Sequence, residues 1–290
     1  MRCIISSDQS FFYVVTVNHK SGNLLKQLIK SLDFINDLRM LIIVDHSGEI
    51  RDGDFTAKFP IQILRQDNRG YGAGLNRGLK EIPENEALVL LCNPDIRLIT
   101  PRAMDKVHEH FHHNSTLAAL SPLMMDGDGN MVISCRRFYD IYSVLGIRLS
   151  RLFKHQPEFV RKHYYMERRL DRNFKIDWGS GAALFCRLST FPDRNFFDER
   201  FFLYFEDVDF GVRLKDRGLT MEFFPQFIVE HRAARRSRKD LRFAWLHLVS
   251  LIKFVSKYRG LPYSKVSGTE ASDQHGNFID YESKVDLGAD

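Results

Sequence analysis

Asn93, Pro94 and Asp95 close an apolar run, Ala87 to Cys92, that is too short to be a helix. Such a run suits a strand covered on both faces, as in a parallel sheet with helices on each side. Pro94, which has no N–H, ends the ladder. A carboxylate just past such a strand sits where open α/β sheets bind ligands, in the crevice outside the carboxyl ends. Asp95 is therefore a candidate partner for a metal ion or a phosphate; the alternative is a simple turn, since Asn, Pro and Asp are all ordinary turn residues. A second acidic group, Glu206, Asp207 and Asp209, follows the aromatic stretch FFDERFFLYF. Burying three carboxylates so close together is costly without a cation or a proton to handle. That makes Asp207 a candidate catalyst, with helix capping by Asp207 or Asp209 as the competing role.

The elements that must position these groups can be read in order. Phe11 to Val17 is β-rich and ends at Asn18, and Leu24, Leu25, Leu28, Ile29 and Leu32 then recur at helical spacing. Met40 to Val44 predicts a second strand ending in Asp45; Ile61 to Leu64 predicts a third, followed by the polar turn Gln66 to Gly70 and by GYGAGLNRGL. Strands alternating with helices predict an α/β, Rossmann-like, doubly wound and mostly parallel sheet. Asn18, Asp45, Asn68 and Asp95 each follow a strand's carboxyl end and are expected to converge on one rim. Gly70, Gly72, Gly74 and Gly78 do not make a dinucleotide fingerprint, because the third glycine would fall on Leu75 or Arg77, and no P-loop spacing exists. A Gly-rich turn into a helix remains, its N–H groups facing a phosphate or sugar, or its glycines serving close helix-to-strand packing.

Further along, Pro101 opens a helix, Leu117 to Leu120 is apolar, and Met125 to Met131 reads as a hairpin with turn residues Asp126 to Gly129. His108, His110, His112 and His113 read as a solvated helix surface, because no ligand trio shares a face. Residues 136 to 175 are rich in Arg, Lys and Tyr, with helical apolar spacing in YSVLGIRLSRLF, and read as an insertion. Asp177 to Gly181 precede the strand AALFC, and Met221 to Val229 reads as a last strand pair ending at Glu230 and His231. Arg232 to Arg242 holds six basic residues against Asp240. It leads into a helix with Leu241, Trp245, Leu248, Ile252 and Val255 along one face. This pattern predicts either docking on an anionic membrane or a helix packed on the sheet. From Pro262 the chain is polar and reads as a frayed tail.

With 290 residues, 44% apolar and 27% charged, the composition is that of a soluble globular protein. Lys plus Arg exceed Asp plus Glu by 42 − 37 = 5, an excess that suits an anionic ligand or membrane without requiring nucleic acid. Cys3, Cys92, Cys135 and Cys186 form no C-x-x-C pair. Cys92 and Cys186 lie in apolar runs and predict buried thiols of a reducing compartment. No signal peptide or membrane span is read, so a cytoplasmic protein is expected, peripheral at most on the inner face of the plasma membrane.

Taken together, TVNH, IIVDHS, NRGYGAGLNRGL, LLCNPDI, DWGSGAALFCR and FFLYFEDVDFGVRLKDRG make the chain, over roughly Phe11 to Tyr258, resemble the family 2 GT-A glycosyltransferases. Within them it is similar to the bacterial rhamnosyltransferases of cell-surface polysaccharide assembly. The resemblance implies one GT-A domain over 1–260, with a nucleotide-sugar half (11–100), an acceptor and catalytic half (101–231) and a basic C-terminal amphipathic helix (232–260), then a polar tail (261–290). It implies a nucleotide-diphosphate sugar donor, dTDP-rhamnose by resemblance, a glycan or lipid-linked acceptor and a divalent Mg²⁺ or Mn²⁺. Asp45 matches the acidic residue near the base and ribose. Val17, Asn18, Asn68, Gly70, Gly72, Asn76 and Asn93 fall on the donor side. Asp95 matches the last Asp of a D-x-D whose first Asp is Asn93 here, and His231 is a further metal ligand by resemblance. Asp207 matches the general base of the E-D motif beside Glu206. Trp178, Gly179, Ser180, Gly181 and Asp209 fall on the acceptor side. A homodimer is compatible with this pattern.

Two other classes compete. A sugar nucleotidyltransferase would carry a phosphate loop richer in Gly and basic residues than TVNHKSGN directly after the first strand. A non-enzymatic basic adaptor for membrane or nucleic acid, using Arg232 to Arg242, leaves both acidic groups unexplained.

Overall fold

The computed structural model describes residues 11–144, 157–232, 241–263 and 285–286. Most of YSVLGIRLSRLF, the basic residues Arg235, Arg236, Arg238 and Lys239, Cys3 and nearly all of the tail lie outside the described residues.

The N-terminal part of the chain forms as its periodicity predicts. Strands β1 (Phe12–Asn18), β2 (Leu38–Asp45), β3 (Ile61–Arg65) and β4 (Leu88–Cys92) run parallel in the order β4-β1-β2-β3. Helix α1 (Gly22–Leu32) connects β1 to β2, and α2 (Tyr71–Leu79) connects β3 to β4. Strand β1 is buried along its whole length, and its alternating side chains feed two cores, as a strand covered on both faces must. Phe12 and Val14 join Leu25, Leu28 and Leu32 of α1 on one face. Tyr13, Val15 and Val17 join Leu75 and Leu79 of α2 on the other.

Beyond β4, a short strand β5 (Ile96–Leu98) and a 3-10 turn at Pro101–Ala103 lead into α3 (Met104–His113). The long β6 (Leu117–Met125) turns at Asp126 into β7 (Met131–Val132), the expected hairpin. After β8 (Cys135–Arg136) and α4 (Glu158–His163) come β9 (Phe174–Ile176), β10 (Trp178–Gly179) and β11 (Ala183–Arg187). Strand β11 inserts antiparallel between β4 and β6, Ala183 opposite Cys92. Helix α5 (Glu206–Asp216) then leads to β12 (Thr220–His231), and α6 (Leu241–Tyr258) closes the described domain.

Two expectations are revised here. Met221 to Val229 is not a strand pair but the middle of the single strand β12, which pairs parallel with β6 and slips register between Phe224 and Ile228. Pro225 has no N–H to offer a ladder, and the slip re-aims the end of β12 onto β5, with His231 opposite Ile96. Neither Asp207 nor Asp209 caps α5. The cap position is Phe205, and both carboxylates fall inside the first turn. The four histidines after Pro101 sit on α3, where His108 meets Asp37 at 2.6 Å and His110 meets Glu222 at 2.8 Å.

Candidate active site

The end of β4 delivers the first acidic residue. Pro94 ends the ladder after Cys92, and β5 runs back against β12, so Asp95 and His231 come face to face with Oδ1 and Nε2 3.3 Å apart. Asn93 Nδ2 lies 3.4 Å from the same imidazole nitrogen. The Asp95 and His231 side chains keep 12% and 16% of their surface exposed, so both remain reachable.

The second acidic group approaches from α5. Tyr204 and Phe205 both adopt left-handed backbone, with φ of 68° and 67°. This is uncommon for bulky residues and persists only where the surroundings over-determine it. The two kinked residues turn the chain so that α5 begins at Glu206 with Asp207 one residue in. Asp207 Oδ2 accepts from the Gly181 N–H at 3.2 Å and Oδ1 from the Val208 N–H at 2.9 Å.

These two groups are tied to one loop. Gly181 touches Asp207 on one side, and the next residue, Ala182, accepts from the Asn93 N–H at 2.9 Å on the other. Tyr71 bridges the gap: its hydroxyl donates to the Gly181 carbonyl at 3.0 Å. Burial raises the Tyr71 phenol well above its ordinary value, reinforced by Cys92, Glu206, Asp95 and Asp207 around it. It therefore stays protonated and fixes the loop between the carboxylates. Sequence reasoning missed Tyr71, whose one signal was its place at the start of the helix in NRGYGAGL.

The rim at β1 and β2 is built differently. Asp45 is buried and accepts from the Ser47 N–H (2.9 Å) and hydroxyl (2.8 Å), the Ile50 N–H (3.0 Å) and Asn18 Nδ2 (3.0 Å). Burial alone would raise its carboxyl, but these hydrogen bonds outweigh it and hold the group below its ordinary value. Asn18 also donates to Glu49 at 2.9 Å, and Glu49 accepts from the Gly22 N–H at 2.8 Å. Val17 beside them is buried. Asn18, Asp45, Ser47 and Glu49 thus knit the two strand-end loops into one wall.

The glycine-rich segment resolves toward packing. A Cβ on Gly70, at φ 110°, would lie 2.5 Å from the Phe202 carbonyl, and one on Gly72 would lie 2.7 Å from Phe197 Cβ. Helix α2 therefore sits tight against the loop that carries Glu206. The Tyr71 N–H is already spent on the Phe202 carbonyl at 2.9 Å and the Gly70 N–H on Asn68 Oδ1 at 3.1 Å. Asn76 is buried and exchanges hydrogen bonds with the Phe197 backbone at 2.8 and 3.0 Å. These contacts place Asn76 behind the site as a brace for the 197–206 loop, and leave Asn68 exposed at the rim.

The residues expected on the acceptor side divide. Gly181 contacts Asp207, and Ser180 caps its turn through the Ala182 N–H at 3.3 Å. Trp178 is core, its Nε1 donating to the Arg137 carbonyl at 2.9 Å, and Gly179 packs against Ser121. Asp209 is a correction. It is wholly buried, bonded to Lys257 and to the Tyr258 hydroxyl at 2.8 Å, because two residues along a helix turn it about 200° away from Asp207.

A divalent metal fits Asp95 and His231. Neighbouring ligands of an octahedral ion with bonds of about 2.1 Å lie about 3.0 Å apart, near the observed 3.3 Å. Among the described residues no cluster of three His, Cys, Asp or Glu completes a cage. A small donor set suits Mg²⁺, which keeps waters and takes substrate phosphates alongside one or two carboxylates.

Comparison with known proteins follows the same lines. No family model matches the chain. It is 28% identical over 242 residues to the N-acetylglucosaminyl-diphospho-decaprenol L-rhamnosyltransferase of Mycobacterium tuberculosis, covering 78% of each chain. It is 22% identical over 263 residues to rhamnosyltransferase WbbL of Escherichia coli, covering 85% of this chain and 93% of that one. Among solved structures, GalNAc-T7 with UDP, GalNAc and Mn²⁺ superposes with a TM-score of 0.54 at 13% identity, over 78% of this chain but only 44% of that one. S. aureus TarS with UDP superposes with a TM-score of 0.50 at 12% identity, over 84% of this chain and 65% of that one. The fold is that of the GT-A glycosyltransferases. Within that class both of these sequence relatives are named rhamnosyltransferases, so the resemblance to family 2 GT-A glycosyltransferases, and among them to the rhamnosyltransferases, is borne out.

Proposed function

We propose that this chain is an inverting glycosyltransferase that moves a hexose, rhamnose by analogy with its relatives, from a nucleotide-diphosphate donor of the dTDP-rhamnose type to a glycan or lipid-linked glycan acceptor. The observation that supports the reading is that both acidic groups are tied to the Gly181–Ala182 loop. A phosphate-side group, Asp95 with His231, and a proton-accepting group, Asp207, flank the same Asn93–Ala182 and Gly181 contacts.

In this reading Asn18 and Asp45 shape the wall against which the nucleoside lies, with Asn68 at its edge. Asp95 and His231 would hold Mg²⁺ or Mn²⁺, whose chemistry is to neutralise charge developing on the diphosphate leaving group. Asp207 takes the acceptor hydroxyl proton as that oxygen attacks the anomeric carbon from the face opposite the diphosphate. One displacement inverts the centre, and no covalent sugar intermediate is required. Gly181 and Tyr71 keep the Asp207 carboxylate oriented, and Glu206, buried directly before it, belongs to the same turn.

The test is metal-dependent binding of nucleotide diphosphates, followed by a screen of nucleotide sugars for release of the free diphosphate. Binding strengthened by Mg²⁺ or Mn²⁺ and lost in Asp95→Ala supports the assignment. Affinity unchanged by metal and by that substitution would remove Asp95 from the donor site. A nucleotidyltransferase would instead release pyrophosphate from a nucleoside triphosphate, a product the same screen detects.

A further inference from the structure

Helix α6 has two faces that do different jobs. Its inner face holds the loop that carries the acidic pair. Ser250 Oγ donates to the Leu203 carbonyl at 2.7 Å, and Lys253 Nζ donates to the Arg200 carbonyl at 2.8 Å. Lys257 bridges Asp198, at 2.8 Å, and Asp209. His247 packs its ring on Tyr204 and Phe205, and Phe254 packs on Phe201 and Phe205. These contacts pin the two left-handed residues that aim Asp207 at the Gly181 N–H.

The outer face is apolar and, among the described residues, uncovered. Leu241, Trp245, Leu248, Ile252 and Val255 repeat at spacings of four and three, and within an arc of about 80°. Trp245 is 65% exposed and Ile252 59%. A continuous apolar stripe of this kind marks an interaction surface rather than scattered exposure. The sequence directly before it carries Arg235, Arg236, Arg238 and Lys239 against the single Asp240, and Arg242 follows within the first turn. A basic cluster leading into an apolar face that holds a tryptophan complements an anionic bilayer, whose surface attracts cations while its interface takes the ring. A second protein copy would offer the apolar partner but would set the same positive charges against each other. No helix among the described residues is long and apolar enough to cross a membrane, so the geometry is that of a helix lying in the interface.

We propose that α6 docks this protein on an anionic phospholipid surface through Leu241, Trp245, Leu248, Ile252 and Val255, and so couples the inner-face grip on the Asp207 loop to the membrane. The proposal rests on the glycosyltransferase reading only for its use, which is to bring the site to a lipid-linked acceptor; the docking itself stands on the helix.

The experiment is co-sedimentation of the full chain with vesicles of neutral phospholipid alone and of neutral mixed with anionic phospholipid, with Trp emission read in parallel. The wild type is expected to pellet with the anionic vesicles, to shift its emission to the blue, and to be released by raised salt. The double substitution Trp245→Glu with Ile252→Glu is expected to weaken binding about tenfold or more while leaving the melting curve and metal-dependent nucleotide binding unchanged. Wild-type protein that stays in the supernatant with anionic vesicles overturns the proposal. So does a dimer in solution that the same double substitution splits, without vesicle binding. Vesicle binding in a protein that binds no nucleotide diphosphate would leave the docking standing and sink the glycosyltransferase reading instead.

Discussion

Asp45 and Asp95 end the strands on either side of β1, yet the molecule treats them oppositely. Asp45 is enclosed by the backbone N–H groups of Ser47 and Ile50 and by Asn18, so its charge is used to shape a loop. Asp95 meets His231 across a strand pair and keeps a face open. Strand order therefore decides where a carboxylate sits, while its partners, the loop after it for Asp45 and β12 for Asp95, decide what the carboxylate does. The same contrast is repeated on a smaller scale in α5, where Asp207 touches Gly181 and Asp209 is sealed against Lys257.

The largest expected break in that contrast is Asp207→Asn. Losing a general base costs about 10² to 10⁴-fold in rate. Single-turnover transfer should fall by that much, while affinity for the nucleotide diphosphate, which we propose the Asp95 side carries, should hardly move. Full turnover in the variant would strip Asp207 of its role. Next is Lys257→Met, which leaves the Asp209 carboxylate buried without its cation. Removing one partner of a buried pair costs about 3 to 5 kcal/mol, and chemical denaturation should show a loss of that order. Adding Asp209→Asn should recover much of it, because the stranded charge is gone. Failure of the second substitution to rescue would mean that Lys257 acts mainly through Asp198.

A smaller effect is expected at Asp45. Asp45→Ala leaves the Ser47 and Ile50 N–H groups and the Asn18 amide without their acceptor, at about 1 to 3 kcal/mol for buried donors. Nucleotide affinity should drop with it, because the wall loses its shape; a variant of wild-type stability would show that the loop is held by Glu49 instead.

Much of this arrangement was legible in the sequence. The alternation in Phe11 to Cys92 located β1 to β4, and with them the rim that gathers Asn18, Asp45, Asn68 and Asp95. What escaped depends on long-range geometry. Asp209 carries the same signal as Asp207, a carboxylate after an aromatic run, and only the phase of α5 relative to α6 separates them. Tyr71 reads as one aromatic among many until β11 brings Gly181 over it. The glycines from Gly70 to Gly78 suggested a phosphate cradle or tight packing alike, and the choice fell to packing because Phe197 and Phe202 fill the space a Cβ would need. His231 was reachable only by resemblance, since the register slip in β12 that turns it toward Asp95 leaves no periodic mark.

The gentlest way to sharpen the comparison is pH, because the buried imidazoles and the depressed carboxylates titrate in separate windows. His163 is buried against the rings of Tyr139, Tyr164 and Trp178, and among the described residues neither ring nitrogen has a hydrogen-bond partner. Burial, with Arg136 and Arg137 nearby, holds its imidazole well below the ordinary value. The unfolded chain binds this proton near pH 6.5 and the native chain does not, so the contribution is complete above about 6.5 and is lost as pH falls toward the folded value. His46, lowered by burial and by His19, adds to the same window. Asp45 and Asp198 are depressed acids, the latter through Arg200 and Lys257 against the opposing effect of burial. Their contributions are present above about pH 4 and fail only below it. Stability measured by denaturant between pH 7.5 and 5 should therefore fall with a slope of up to about 1.4 kcal/mol per unit for each imidazole. His163→Phe should flatten most of that fall without touching the acid limb below pH 4, and a slope left intact by the substitution would assign the titration to His46, on the Asp45 side of the sheet.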